Sequence, residues 1–429
     1  MIMKNLMYSL IIIFLFFGCS VKNVKVINYK QNLDYLLKDV TPLHVDMRNF
    51  YSRYFMPWNI KSIKIKRVSA SWANSVFARK GRYYAQNMLL WDTERVKNLI
   101  NSTNFKDYNK EEIYALTIKD IQVRNLPTNK PFMRNPKLAG EGFAFDYMQN
   151  THLHVNTPVF ISHFNNDGSW AFLQNPSSLG WVPINALKIL DVKQRNLFIK
   201  SKKLVIVKDK TAIYSLKQKF VIYAKIGAIF PYVDEDEDFY HSFLYTKYGD
   251  KMEVRISKAN IAQMPITFNS KNILKIANSL LGELYGWGGF MGSRDCSAMT
   301  KDYFAPFGVW IPRNSAGQKN SGAYISLENL DDVEKEKIIL RDGIAFKSLL
   351  YLHGHIMLYV GNYKGRAMVM HNLWGIKTQK DGVYGRYIIG KSIISDLHIG
   401  EHLKNLKKNG ILISRVKGMV IKPDMKSLY

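Results

Sequence analysis

One cysteine in the last third of the chain has the setting of a catalytic nucleophile. Cys296 follows a glycine-rich segment, YGWGG at 285–289, and begins a predicted helix over 296–304. A thiol at a helix N-terminus lies at the positive end of the helix dipole, which lowers its pKa and favours the nucleophilic thiolate. The same cysteine could instead be a buried structural residue, which is common for a free thiol.

Two histidines further along the chain could serve that cysteine. His355 and His371 lie on two predicted strands, in the segments GHIMLYVG and AMVMH. If residues 361–365 form the hairpin loop, the histidines are direct cross-strand neighbours with Cβ atoms about 5 Å apart. Adjacent histidines can supply a base and the group that orients it. Two unrelated surface histidines are the alternative interpretation.

The preceding regions must position these residues. A mixed helix and strand pattern runs from about 266 to 429, and its first predicted helix begins at Ser270. Two blocks of strand-like segments precede it, at 126–200 and 201–265, and the first contains a hairpin signal at 165–168. Their similar endings, VPIN and VRIS, favour two duplicated small barrels.

Residues 20–125 show no catalytic grouping and a mainly helical pattern from about residue 50. We interpret them as a scaffold, with 21–50 as a polar tether. The chain is therefore predicted to be a multidomain α+β protein with a helical N-terminal region, two small β-barrels and a C-terminal α+β domain.

These motifs resemble a known family. DCSAM, then GHIMLYVG, then a histidine on the next strand resemble the NlpC family of bacterial cell-wall cysteine peptidases, which are papain-like α+β proteins. The resemblance implies that Cys296 is the nucleophile, His355 the general base and later acid, and His371 the orienting group. One subset of the family also has an N-terminal stabilising domain and two SH3-like barrels, in the order expected here.

In that subset the substrate is a peptidoglycan stem peptide, cleaved between the γ-carboxyl of D-Glu and a diamino acid such as diaminopimelate. No metal or organic cofactor is implied. The positions that match substrate-binding residues are Tyr285, Trp287, Asp295, Ser297, Asn314, Ser315 and Tyr147. The family often has Asp where Asn314 stands, and an amide cannot form an ion pair with an ammonium group. Recognition of a free N-terminal L-Ala is therefore open, and Tyr147 could instead be a barrel core residue.

The first nineteen residues resemble a bacterial lipoprotein signal. Lys4 precedes an apolar run over 6–17, which is shorter than the roughly 20 residues of a spanning helix, and Gly18-Cys19 follows. The resemblance implies an exported protein with a lipid anchor at Cys19. Ser20 after the cysteine favours the periplasmic face of the outer membrane. An ordinary signal peptide is the alternative.

Composition sets further limits. The 429 residues include 61 Lys and Arg against 34 Asp and Glu, a net charge of +27. Such a chain is attracted to polyanions, including wall, anionic lipid and nucleic acid, although a compositional bias would give the same charge. Two cysteines exclude a disulfide framework and a thiolate-rich zinc site. His152 and His154 alternate on a predicted strand, without a third metal ligand nearby in the sequence.

Three other functions compete with a wall peptidase. A non-catalytic wall-binding lipoprotein would use the barrels alone, but all three catalytic residue types are present. An acyltransferase or lipid amidase could use the same fold class, although the wall-type barrels argue against it. Nucleic-acid binding would explain the charge, but no recognition motif accompanies it.

Overall fold

The computed structural model describes residues 26–38, 40–43, 45–247, 251–407 and 410–423. The predicted signal over 1–19, with Cys19, lies outside these residues, as does Ser20. Within the described ranges, every helix is too short or too polar to cross a bilayer. The chain is a multidomain α+β protein, as predicted from the sequence.

The described part of the N-terminal region contains four α-helices joined by turns and loops. They are α1 to α4, over Met47–Tyr54, Arg67–Ala70, Trp72–Phe77 and Thr93–Asn101. Asp46 and Asp92 cap α1 and α4 by accepting from backbone N–H groups of the first turn. Tyr54 donates a hydrogen bond to the carbonyl of Asn156, and Trp58 donates to that of Ala115. These bonds fix the helical region on the first barrel.

Residues 26–38 and 40–43 form an ordered N-terminal strap on the C-terminal domain. Leu33 and Leu36 are buried in that domain's core. Tyr29 Oη donates to Asp396 at 2.7 Å, and the Gln31 amide exchanges two hydrogen bonds of 2.9 Å with the backbone of Ile394. The prediction of a tether that becomes ordered only around Thr41-Pro42 is wrong for 26–38, because Leu33, Leu36 and several partly buried apolar residues of this segment pack on that core.

The first barrel is a seven-stranded antiparallel sheet in the order β3-β2-β6-β5-β4-β1-β7. The strands β1 to β7 are Ile113–Thr117, Ile121–Arg124, Gln149–Leu153, Pro158–Phe164, Trp170–Gln174, Leu179–Pro183 and Leu187–Ile189. The hairpin predicted at 165–168 joins β4 and β5, with Gly168 in the left-handed region. The sheet begins at Ile113, within the segment that the sequence assigned to the N-terminal region.

The second barrel follows helix α5, Val192–Lys200, and contains two antiparallel sheets. Their orders are β10-β9-β14-β13-β12 and β11-β8-β15. The strands β8 to β15 are Lys203–Ile206, Thr211–Ser215, Phe220–Ala224, Ile229–Pro231, Asp234–Glu235, Phe239–Tyr245, Lys251–Ser257 and Ile261–Gln263. Their apolar residues form a core of their own, separate from that of the first barrel.

The C-terminal domain places helices on both faces of a six-stranded antiparallel sheet, in the order β16-β21-β17-β18-β19-β20. The helices α6 to α10 are Ser270–Leu280, Cys296–Phe304, Ser315–Lys319, Asp332–Asp342 and Leu412–Arg415. The strands β16 to β21 are Gly322–Ser326, Leu349–Leu352, His355–Tyr363, Arg366–Lys380, Val383–Asp396 and Gly418–Pro423. Helix α7 packs against β18 and β19, which brings Cys296 beside the strands that carry the two histidines.

Candidate active site

The cysteine begins α7, as predicted. Its cap is Asp295, whose Oδ1 accepts from the backbone N–H of Ala298 at 2.8 Å. The loop before it is built from glycines, and Gly288 and Gly289 both have positive φ. A Cβ at position 289 would lie 2.6 Å from the Cβ of His152, so only glycine allows this loop to pack directly on the first barrel.

Burial dominates the chemistry of the thiol. Burial and the neighbouring Asp295 carboxylate raise the pKa of Cys296 to about 12, while the backbone of Ile356 favours the thiolate less strongly. The expectation that the helix terminus lowers this pKa is therefore wrong, because desolvation of the thiolate outweighs the dipole. The Cys296 thiol is therefore neutral at rest and would need a base in order to act as a nucleophile.

The two histidines meet, although not by the predicted register. Leu358 pairs with Met370, which places Met357 rather than His355 opposite His371. The strands continue to the pair Tyr363 and Arg366, so the turn is shorter than the predicted loop. His355 and His371 are therefore diagonal neighbours, and the His355 Nε2 lies 2.9 Å from the His371 Nδ1.

A series of hydrogen bonds assigns the tautomers of both rings. Ser395 Oγ donates to the carbonyl of Asp396 at 2.8 Å, so it accepts from His371 Nε2–H at 3.1 Å. The His371 Nδ1 then carries a lone pair and accepts from His355 Nε2–H. His355 Nδ1 is left as an acceptor. Ser395 was not singled out in the sequence, since no local motif marks it.

Both histidines are neutral in the folded protein. Burial, and to a lesser extent the charge of Arg415, lowers the pKa of His355 to about 3. Burial and the neighbouring His355 lower the pKa of His371 well below its usual value. A neutral imidazole with a free lone pair is the form that accepts a proton.

Arg313 is a second group that the sequence did not identify. Its guanidinium donates to both carboxylate oxygens of Asp295, at 3.0 and 2.9 Å, and to Ser297 Oγ at 2.9 Å. Burial opposes ionisation of Asp295, but the charge of Arg313 holds its pKa below the usual value. The residue stands directly before Asn314 in the segment PRNS, and that adjacency was the available signal.

Asp295 and Ser297 were expected to bind substrate, and their hydrogen bonds favour a positioning role instead. The Asp295 carboxylate accepts from Gly288 N, Ala298 N and Ser297 Oγ besides Arg313, which uses its acceptor capacity within the protein. Both residues are buried. They fix the start of α7 and hence the thiol.

Asn314 and Ser315 lie at the start of α8. The Asn314 Oδ1 accepts from the backbone N–H of Gly317 at 2.7 Å and caps this short helix. Ser315 is its first residue and is half-buried. The side-chain carbonyl of Asn314 is therefore occupied by the cap bond, and the residue is otherwise exposed.

Aromatic side chains from two domains form a wall that leads to the thiol. We define this aromatic wall by Phe145 and Tyr147 of the first barrel and Tyr285, Trp287 and Trp374 of the C-terminal domain. The rings of Tyr147 and Trp287 are 4.9 Å apart, and those of Tyr285 and Trp374 are 5.7 Å apart. Burial raises the pKa of Tyr285 well above its usual value, and the neighbouring Cys296 and Asp295 add to this shift.

Tyr147 is accordingly not enclosed in the barrel core. It is half-buried, its hydroxyl donates to the Glu141 carboxylate, and the Arg134 guanidinium lies 4.5 Å from its ring centroid. The structure thus brings Tyr147, Tyr285 and Trp287 together, as the substrate-binding expectation required.

A buried ion-pair cluster joins the second barrel to the residues around the thiol. Arg294 donates to both oxygens of Asp209 and to Asp302, each at 2.7 Å. Asp209 belongs to the second barrel and Asp302 to α7. The cluster therefore holds the segment before Cys296 and the middle of its helix against the barrel.

Four family models match segments of the chain. They describe an N-terminal NLPC_P60 stabilising domain at 8–108, an SH3 domain of SH3b1 type at 131–183, an SH3 domain of SH3b2 type at 200–237 and the NlpC/P60 family at 282–394. Comparison with curated proteins gave no significant match.

Two solved structures share this architecture. An NlpC/P60 endopeptidase from Photobacterium damselae subsp. piscicida is 20% identical, with a TM-score of 0.81 over 93% of this chain and 99% of that one. An NLPC/P60 family protein from Bacillus cereus ATCC 10987 is 16% identical, with a TM-score of 0.50 over 72% of this chain and 99% of that one. The matches follow one another in the order stabilising domain, two SH3 domains and NlpC/P60 domain, so the chain carries an NlpC/P60 domain at 282–394.

Proposed function

We propose that this protein hydrolyses peptidoglycan stem peptides at the bond between the γ-carboxyl of D-Glu and a diamino acid such as diaminopimelate. The observation that carries the proposal is the hydrogen-bond series from Ser395 through His371 to His355, which leaves the His355 Nδ1 to accept a proton. The NlpC/P60 domain at 282–394 supports a peptidoglycan hydrolase.

The proposed reaction has two stages. As Cys296 Sγ attacks the γ-carbonyl carbon, His355 takes the thiol proton, and His371 holds the imidazole in place. The backbone N–H of Cys296, at the start of α7, is a candidate donor to the oxyanion. His355 then protonates the leaving amine, and a thioester remains.

In the second stage a water molecule replaces the amine. His355 removes a proton from this water as its oxygen attacks the thioester carbonyl. The carbon–sulfur bond breaks, the proton returns to sulfur, and the γ-carboxylic acid of D-Glu is released.

The aromatic wall supports a peptide substrate that lies between the first barrel and the C-terminal domain. Tyr147 and Trp287 are in contact across that boundary. The net charge of +27 favours a substrate whose D-Glu and diaminopimelate units carry free carboxylates. Stem peptides and muropeptides are the proposed partners, and nucleic acid is not.

The test uses L-Ala-γ-D-Glu-diaminopimelate and the same peptide linked to N-acetylmuramic acid, with products followed by mass spectrometry. Cleavage at the γ-D-Glu bond that is lost in Cys296→Ala supports the proposal. Cleavage of the free peptide alone would mean that the first barrel enforces a free amine despite Asn314. If folded protein cleaves neither peptide, the assignment fails and the wall-binding function gains support.

We also propose that Cys19 carries a lipid that anchors the protein in the periplasm, at the outer membrane. The motif at 18–19 after the apolar run supports it. Metabolic labelling of bacterial cells with a radioactive fatty acid should mark the wild type and not Cys19→Ala. Equal labelling of both would contradict the anchor.

A further inference from the structure

Two histidines outside the proposed active site share a cluster with a carboxylate. Asp120 lies between β1 and β2, His152 on β3, and His154 just after it. One ring nitrogen of each histidine and one carboxylate oxygen of Asp120 all lie within 4.8 Å of one another. The His152 Nε2 is 3.8 Å from the Asp120 Oδ2. The sequence could not supply this third ligand, because Asp120 is far from the histidines along the chain.

One ring nitrogen of His154 lacks a hydrogen-bond partner among the described residues. The His154 Nε2 lies 3.1 Å from the Asp302 Oδ1, and the other Asp302 oxygen accepts from the Arg294 guanidinium at 2.7 Å, as an ionised carboxylate does. An ionised carboxylate only accepts, so Nε2 carries the proton and Nδ1 a lone pair. That Nδ1 is buried and unpartnered within the described part of the chain. A buried lone pair without a donor is costly unless a ligand uses it.

The other two ligands are also held in place. Asp120 Oδ1 accepts from the backbone N–H of Val155 at 2.9 Å, which leaves Oδ2 on the side of His152. His152 packs against Gly289, whose missing Cβ allows the contact. Neutral imidazoles and an ionised carboxylate are the forms that bind a metal.

We propose that Asp120, His152 and His154 bind one divalent transition-metal ion, with Zn²⁺ the best fit. Two imidazoles and one carboxylate form a typical three-ligand set for zinc, which prefers four-coordinate geometry. Asp302 acts as the outer carboxylate that orients a ligating histidine. The first barrel supplies all three ligands, and the ion would lie near α7, to which His154 is joined by its hydrogen bond with Asp302. This site has no part in the proposed hydrolysis.

Nearby cations do not prevent binding. Arg294 is paired with Asp209 and Asp302. Lys225 and Lys301 are the other cations, and burial lowers the pKa of each. The carboxylate of Asp302 attracts both lysines, and that of Asp120 attracts Lys225. The affinity for the metal ion is therefore expected to come from direct coordination by the three ligands, and not from an excess of negative charge around the site.

The test is metal binding by the purified protein with Cys296→Ala, which removes the thiol as a competing ligand. Calorimetry with Zn²⁺ should show one ion per chain, and Zn²⁺ should raise the melting temperature. With Co²⁺ in its place, the visible absorption should be that of a four-coordinate site. Asp120→Asn in the same background should weaken binding roughly tenfold or more.

A matched control is His241→Gln, because His241 pairs with Asp234 and Asp236 on the exposed edge of the second barrel. It should leave stoichiometry and affinity unchanged. His154→Gln provides a second test if Asp120→Asn melts early without metal. Absence of zinc binding, or binding unchanged in both ligand variants, would overturn the proposal.

Discussion

At the residue scale, the proposed nucleophile and base rest in their neutral forms. Burial raises the pKa of Cys296 to about 12 and lowers that of His355 to about 3. The proton therefore stays on sulfur until the substrate arrives. A thiolate–imidazolium pair would require these two pKa values in the opposite order.

This order predicts an unusual pH profile. We expect kcat/KM for the γ-D-Glu peptide to be nearly constant between about pH 5 and 9, because neither group of the free enzyme titrates there. The measurement is the initial rate at low substrate across that range. If kcat/KM instead falls at both the acidic and the alkaline end of this range, after correction for the ionisation of the peptide itself, the result would indicate a preformed thiolate–imidazolium pair.

His371 is a positioning residue in the proposed mechanism. Replacing it with Gln should lower kcat by about 10²- to 10⁴-fold and change KM little, since the substrate does not contact it. The control is His398→Gln, because His398 is a half-buried histidine of the same domain that bonds Glu336 away from the proposed site. A loss that falls mainly on KM would contradict the assignment.

At the element scale, α7 depends on the contact between its cap and Arg313. Asp295→Asn keeps a capping oxygen but leaves the Arg313 guanidinium without a carboxylate. Removing one partner of such a buried pair costs about 3 kcal/mol in the free energy of unfolding. The measurement compares the free energies of unfolding in urea of Cys296→Ala and of the double variant that also carries Asp295→Asn.

The matched control is Asp191→Asn, which makes the same substitution at the N-cap of another helix, α5. Asp191 makes the same type of cap bond but is exposed, so the loss should stay below about 1 kcal/mol. Equal losses at both caps would mean that the ion pair adds nothing to the cap.

The sequence analysis predicted which elements carry the site residues, but it was less successful for the geometry that brings those residues together. Cys296 at a helix start, and histidines on adjacent strands, followed from local patterns. The register did not, because the turn uses Lys364 and Gly365, both with positive φ, and a bulge lies between Tyr359 and Gly361. Such two-residue turns match the strand twist, and lysine gives little signal for one.

Contacts between distant segments were the other limit. Arg313, Ser395 and Asp302 act through partners on other elements, and no spacing in the chain marks them. Domain order followed from the succession of helix and strand patterns and from the family resemblance. The start of the first sheet at Ile113 did not, because a lone strand next to helices carries a weak pattern.

At the scale of the whole molecule, buried neutral histidines make the fold sensitive to acid. Burial lowers the pKa of His163 to about 4 in the first barrel, and that of His355 to about 3. Between these values and about 6.5, the unfolded chain binds protons that the folded chain does not. The free energy of unfolding therefore decreases as the pH is lowered through this range, by about 1.4 kcal/mol per pH unit for each such histidine.

His163→Gln should reduce that slope. His163 is buried between Ser162 and Thr103, outside the proposed active site and metal site. Urea midpoints at pH 6 and 5 should differ less in the variant, while the two proteins should respond alike between pH 7 and 8. Equal slopes at acidic pH would show that His163 can be protonated in the fold.

The N-terminal strap has a consequence for the order in which the chain is made. Gln31 leaves the ribosome early, yet its partner Ile394 lies 363 residues later. At about 5–20 residues per second, the strap waits roughly 20 to 70 s for the sheet on which it docks. Leu33 and Leu36 remain exposed throughout that interval, so the last-made domain closes around the first-made residues. A fragment that begins after the strap would leave those two places in its core unfilled.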